Sequence, residues 1–169
     1  LDVNRICRTL TRNMHRQRHS VAVIGAGIAG AAVAHALALA GHSVHVFDKS
    51  RGPGGRLATR RFEWVDRHGH ASTTPLDHGA VGFRASHADF QTFADLAQQA
   101  GWLAEWKPRL AAGSEPLDGG AKLYVPAPDM PALSRHLLDG VPSTWSFSVD
   151  GLRKGPVGWQ VQSGDARHA

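Results

Sequence analysis

The chain has 169 residues, 42% hydrophobic and 20% charged, the profile of a globular protein with room for one domain or slightly more. Formal net charge is +5, but residues 1–19 hold five arginines against Asp2 alone, so +4 belongs to that stretch and the rest is close to neutral. This disfavours a nucleic-acid-binding body; no apolar run approaches the roughly 18 residues of a membrane span; and one cysteine, Cys7, makes neither an internal disulfide nor a multi-cysteine zinc site, so a reducing, cytoplasmic setting is expected.

Residues 1–19 have no clean strand or helix period and are expected to be a basic, disordered tail. Three readings compete: an Arg-rich targeting segment, a basic arm for anionic partners, and extra translated sequence ahead of a start at Met14. The last is favoured, because Met14–Ser20 leads directly into the first strand and the chain does not begin with Met.

Ser20–Ile24 is a continuous apolar run and reads as a fully buried parallel strand. Gly25-Ala26-Gly27-Ile28-Ala29-Gly30 follows at once, a G-x-G-x-x-G. Ala31–Ala40 reads as a helix with His35 its one polar interruption, ended by Gly41. Ser43–Phe47 reads as a second strand, closed by Asp48. A strand, a glycine turn, a helix and a second strand within some 30 residues is the context in which this motif points to a dinucleotide. Gly25 permits the turn, Gly27 lets a pyrophosphate approach the backbone, and Gly30 lets the helix pack on the sheet. The helix N-terminus offers N–H groups and a positive dipole end to phosphate. Asp48 is placed to accept hydrogen bonds from ribose hydroxyls. Its charge disfavours a 2′-phosphate, although Lys49 and Arg51 soften that argument.

Lys49-Ser50-Arg51-Gly52-Pro53-Gly54-Gly55-Arg56 comes next, where a further helix would be usual. Gly-Pro-Gly-Gly cannot continue a helix. It makes a second glycine turn that returns N–H groups and Arg56, a bidentate phosphate binder, toward the same pyrophosphate.

Residues 60–76 read as a β-hairpin around Arg67-His68-Gly69-His70. His68 and His70 lack the cysteines and carboxylates of a metal site, so no metal is expected. Asp77-His78 lacks the G-x-S-x-G elbow of a hydrolase. His87–Ala100 has Phe90, Phe93, Ala94, Leu96 and Ala97 at helical spacing, which predicts a core face. Trp102 and Trp106 suit either a substrate cavity or plain burial. Residues 112–120 form a Gly/Pro/Asp loop. Met130–Leu138 reads as a helix with Asp129 as N-cap and Pro131 in its first turn. Thr144–Val149 and Gly158–Val161 read as strands around a Gly151–Gly155 turn.

Val23–Gly30, Phe47-Asp48-Lys49 and Arg51–Arg56, with Thr59-Arg60-Arg61 behind, resemble the FAD-binding N-terminus of the amine-oxidase superfamily, and most of all its bacterial renalase-like flavoproteins. Asp77-His78-Gly79-Ala80 with Phe83, the aromatic helix around Phe90 and Phe93, and Tyr124-Val125, Pro128 and Met130 extend the resemblance over residues 20–162. Val81-Gly82, Pro126 and Asp129 depart from the family pattern. The family is about twice this long, so the resemblance is to its N-terminal half and the chain reads as truncated.

The resemblance implies an α/β fold: a Rossmann-like FAD-binding βαβ unit with an inserted, partly antiparallel β-rich substrate-side region. The expected divisions are 1–19 tail, 20–80 FAD-binding unit, 81–162 the start of the substrate-side region, and 163–169 a second tail. It implies FAD held by Gly25, Ala26, Gly27, Ile28, Ala29, Gly30, Asp48, Lys49, Gly54, Gly55 and Arg56, with Gly79 and Ala80 as backbone beside the flavin. The implied activity is hydride transfer from a small molecule, an amine or a dihydronicotinamide, to the flavin; no catalytic residue is singled out. Two alternatives stand beside it: a truncated or degenerate relative that catalyses nothing, and an NAD-binding dehydrogenase fragment. No nucleic acid and no membrane is an expected partner, and the sequence does not decide the oligomeric state.

Overall fold

The computed structural model describes residues 17–109, 111–112, 122–164 and 166–168. Most of the basic tail and all but the first residue of the 112–120 loop lie outside the described residues. In chain order the elements are β1 (Ser20–Ile24), α1 (Ile28–Leu39), β2 (Ser43–Phe47), β3 (Leu57–Val65), β4 (Ala71–Gly79), α2 (Ala88–Gln99) and β5 (Leu103–Glu105). Then follow β6 (Tyr124–Pro126), α3 (Ala132–Leu137), β7 (Ser143–Thr144), β8 (Gly151–Gly155), β9 (Gly158–Ser163) and β10 (Ala166–His168). The described residues fall into two units, one running from Arg56 to Leu133 and the other made of residues 17–55 together with Ser134 onward.

The discontinuous unit holds a three-stranded parallel sheet in the order β1-β2-β7. Val and Ile suit these strands because a branched Cβ packs well on a pleated surface. β1 pairs with β2 from Ser20↔Ser43 to Ile24↔Phe47, and the chain between them is α1, as a parallel connection requires. The helix starts at Ile28, ahead of the expected Ala31, because extended Gly27 caps it. It ends in a Schellman turn: Gly41, at φ 87°, donates to the Ala38 carbonyl at 3.0 Å and His42 to that of Leu37 at 3.1 Å.

One expectation fails here for a clear reason. β1 is not fully buried, because only one face of the strand is covered: Val23 is buried while Ala22 and Ile24, on the opposite face, are exposed, Ile24 by 49%. Ala22 and Ile24 line a groove of about 800 Å³ with His45, Phe47, Leu152 and Trp159.

His35 also finds its reason. Its ring is buried and its Nδ1 lies 2.9 Å from the Leu137 carbonyl at the end of α3. A carbonyl only accepts, so Nδ1 carries the hydrogen and ties α1 to that turn. Beyond β7, Phe147 packs on Phe47 with ring centroids 5.3 Å apart, and both meet Val161 of β9 in the core.

Two further expectations are corrected in this unit. Gly151–Gly155 is a strand, not a turn: it pairs with β9, and the hairpin bends at Pro156-Val157. A two-residue bend is the shortest hairpin connection, and Gly158 at φ 144° accommodates it. Of the strand expected over 144–149, only Thr144 lies in a strand, β7, since the chain turns at Ser146.

In the continuous unit, β3 and β4 form the expected hairpin over nine pairs, Leu57↔Gly79 to Val65↔Ala71, with Phe62, Trp64 and Leu76 exposed. Asp66 closes the bend by accepting N–H bonds from His68 at 2.7 Å and His70 at 2.9 Å. α2 follows, capped by the His87 ring. It buries Ala94, Leu96 and Ala97, but Phe90 is 41% exposed, so the expected core face is narrower than its spacing suggests. β5 and β6 pair antiparallel, and buried Tyr124 of β6 donates its hydroxyl to Asp95 of α2 at 3.2 Å. α3 is shorter than the expected 130–138, because Met130 and Pro131 form a turn before it. No helix among the described residues is long and apolar enough to cross a membrane.

Candidate functional site

The first glycine turn is built by three glycines with three different physical reasons. Gly25 has φ 100°, a conformation in which a Cβ is strained although nothing lies within 4 Å of one. Its N–H donates to the Phe47 carbonyl at 2.8 Å, carrying the sheet pairing one residue past β1. Gly30 has ordinary backbone angles but no room: a Cβ there would sit 1.8 Å from the Gly25 carbonyl oxygen and 3.5 Å from Val23. The expected packing of helix on strand is thus chiefly packing of helix on turn. Gly27 is different again, for the nearest atom to a Cβ there is the Cα of Gly55, 3.9 Å away.

That last contact brings the second glycine turn to the first. Gly54 donates its N–H to the Ala26 carbonyl at 2.9 Å, and Gly27 and Gly54 form an isolated parallel bridge. Gly55, at φ 58°, lies so near that a Cβ on it would come 3.0 Å from the Gly27 Cα. Two glycine-rich turns therefore meet at the N-terminus of α1. No side chain caps that terminus and no acid occupies its first turn, so its N–H groups and the positive end of its dipole are left for an anion.

Asp48 is the third component. Its Oδ2 accepts from Ala26 N–H at 2.6 Å and its Oδ1 from Ser50 N–H at 2.7 Å. Partial burial pushes its carboxyl up, but the Ala26 and Ser50 hydrogen bonds and the Lys49 charge outweigh that and hold it below its ordinary value. It is ionised at neutral pH. An ionised carboxylate offers about four lone-pair sites, and the two backbone donors leave acceptor capacity for hydroxyls. Lys49, the next named residue, is exposed and contributes charge.

Arg56, Gly79 and Ala80 meet one another within the continuous unit. Ala80 donates its N–H to the Arg56 carbonyl at 3.1 Å. Gly79, at φ 94°, passes so close that a Cβ would lie 2.2 Å from that same oxygen. The need for glycine at 79 thus has a local cause in the backbone of Arg56. Asp77 does not act with His78 here: its Oδ1 accepts from the Thr59 hydroxyl and from Met130 N–H at 3.3 Å, tying both strands of the hairpin to the turn before α3.

One group of site residues is not legible as such in the sequence. The end of β7 and the segment after it brace the Asp48 turn: Asp48 N–H donates to Thr144 O at 3.0 Å, Ser146 N–H to Ser50 O at 2.9 Å, and Phe147 N–H to Asp48 O at 2.9 Å. These are backbone bonds almost a hundred residues apart along the chain, and no side-chain pattern encodes them. The groove beside β1 is a separate feature, since none of Gly25–Gly30 lines it.

Residues 23–100, which include both glycine turns, Asp48, Arg56, Gly79 and Ala80, match the family of NAD(P)-binding Rossmann-like domains. Domains of this family bind a dinucleotide cofactor of the FAD or NAD(P) class and are typical of oxidoreductases.

Proposed function

We propose that the chain is an FAD-binding oxidoreductase whose two glycine turns hold the pyrophosphate. The observation that carries this is the Gly54 N–H to Ala26 carbonyl bond, with Gly55 lying against Gly27. One turn at a helix N-terminus suffices for a dinucleotide in general. A second turn laid against the first supports FAD over NAD. The residues fit the group: the space a Cβ would fill at Gly27 is open, and the helix terminus is uncapped and free of acids.

In this reading the N–H groups at the start of α1 bind the phosphates, with Gly25, Ala26, Gly27, Ile28, Ala29 and Gly30 as the first wall and Gly54 and Gly55 as the second. Asp48 accepts from the adenosine ribose while it keeps the Ala26 N–H. Lys49 adds positive charge at the rim. Arg56 follows Gly55 in the chain, and its phosphate role rests on that position alone; Gly79 and Ala80 are carried in the reading as flavin-side backbone. FAD, when bound, supplies two-electron chemistry that accepts a hydride from substrate. The substrate class is an amine or a dihydronicotinamide, by the same resemblance.

The test is absorbance and stability. Purified protein is expected to be yellow, or to gain flavin absorbance and thermal stability on added FAD. Protein that stays colourless and is stabilised by NAD alone supports the second reading, an NAD-dependent dehydrogenase, which the NAD(P)-binding family match favours. Protein that responds to neither sinks both.

A further inference from the structure

We infer that Ser146 is a positioning residue for the dinucleotide site, its left-handed backbone holding the Asp48 turn in place from the far side. The ligand in this inference rests on the reading above; the geometry does not. Ser146 lies outside residues 23–100, and its exposed side chain gives no reason for its conformation.

Ser146 has φ 55°, the one non-glycine residue with positive φ among those described. A Cβ is crowded there, so such a residue persists only where its surroundings fix it. The surroundings are the backbone bonds to the Asp48 turn. With Ser146 left-handed, two successive N–H groups, its own and that of Phe147, point at the carbonyls of Ser50 and Asp48, both at 2.9 Å. Phe147 is anchored on Phe47, which fixes the downstream side. β7 fixes the upstream side through Phe47↔Thr144.

The turn so held has one free consequence, the direction of the Asp48 side chain. Its Oδ1 is already bound by Ser50 N–H, so the carboxylate moves with Ser50, and its Oδ2 reaches Ala26 N–H. Ala26 is buried between Gly25 and Gly27. The backbone angle of Ser146 therefore sets the first glycine turn through two steps, Ser50 and Asp48. A residue that resists the left-handed region displaces the Asp48 turn; glycine, which adopts it freely, leaves it alone.

The experiment uses the full chain with Ser146→Gly, Ser146→Ala and Ser146→Val. Three quantities are read: amide exchange at Ala26 without ligand, titration of the Asp48 carboxyl by NMR, and FAD affinity. In Ser146→Val we expect about tenfold faster exchange at Ala26 and about tenfold weaker FAD binding, since branching at Cβ adds to the left-handed penalty that serine already carries. The Asp48 carboxyl moves up toward its ordinary value. Ser146→Gly stays within about twofold of wild type on each readout, and Ser146→Ala falls between the two. Exchange at Leu152 and Val161 reports global folding, and if the valine variant is unfolded the alanine variant decides. The inference is overturned if Ala26 exchange and Asp48 titration are unchanged in the folded variants, or if glycine is as damaging as valine. A wild-type chain that binds neither FAD nor NAD overturns the dinucleotide reading, while the exchange and titration arms still decide the role of Ser146.

Discussion

Asp48 and Ala26 are 22 residues apart in sequence and joined by a 2.6 Å hydrogen bond from backbone to carboxylate. The acid at the end of β2 thus organises the glycine turn at the end of β1 before any ligand arrives. Its folded carboxyl lies below the ordinary value, so its contribution to stability is complete above the unfolded pKa and is lost as pH falls through the folded one. Asp48→Asn keeps one acceptor oxygen for two N–H donors and is expected to lose about 1 kcal/mol at neutral pH, a value discounted for partial exposure. Urea unfolding of both proteins checks the sign: their difference should hold from pH 7 to 5 and shrink below about pH 4. A difference that grows in acid would contradict the assignment.

Gly27 and Gly30 should separate binding from folding. Gly30→Ala places a Cβ 1.8 Å from the Gly25 carbonyl and should destabilise by about 1–3 kcal/mol. Gly27→Ala meets nothing closer than 3.9 Å and should leave stability within about 0.5 kcal/mol. Its methyl group enters the space given to the pyrophosphate, so dinucleotide affinity should fall at least about tenfold, or 1.4 kcal/mol. Thermal shift with and without FAD reads both; an alanine at 27 that binds normally would remove the phosphate from the first glycine turn.

The reading of fold from sequence worked where pattern and contact are both local. The glycine spacing, the Ala-rich helix and the second strand specify each other within some 30 residues, and β1, α1 and β2 follow with only the helix start displaced. The hairpin of Arg60–Leu76 was visible for the same reason, and the structure extends it to Leu57 and Gly79. The errors have a common cause. An apolar run such as Ser20–Ile24 looks the same whether one face of the strand is covered or both. Gly151 and Gly155 look like punctuation, yet each pairs across a hairpin whose bend lies at Pro156-Val157. The candidate site is half legible: its glycines and Asp48 stand out by residue type, whereas Thr144, Ser146 and Phe147 meet the Asp48 turn through backbone groups that any sequence carries.

Gly79→Ala tests the local cause found for that glycine. With φ 94° and a Cβ 2.2 Å from the Arg56 carbonyl, alanine should destabilise the Leu57–Gly79 end of the hairpin by about 2 kcal/mol. Amide exchange at Ala80, which donates to Arg56, should accelerate while exchange in β1 and β2 is unaffected. Uniform acceleration through both units would show that the strain is not local.

His35→Leu removes the donor to the Leu137 carbonyl while keeping an apolar side chain of similar reach. The carbonyl then loses its partner, and a loss of about 1–3 kcal/mol in unfolding free energy is expected. Helix content by circular dichroism should be unchanged, because the bond joins two helices rather than forming either. A leucine variant as stable as wild type would mean that removing the buried, unpartnered Nε2 of the ring offsets the lost bond.

The chain leaves the parallel sheet at Phe47 and returns to it only at Ser143. During synthesis, β2 emerges long before its neighbour β7 exists, whereas β3 and β4 are consecutive and can zip at once. Long-range pairing closes slowly because the intervening chain must first be brought together. The interrupted sheet is therefore assembled late, and the Asp48 turn acquires its brace only after residues 143–147 have left the ribosome.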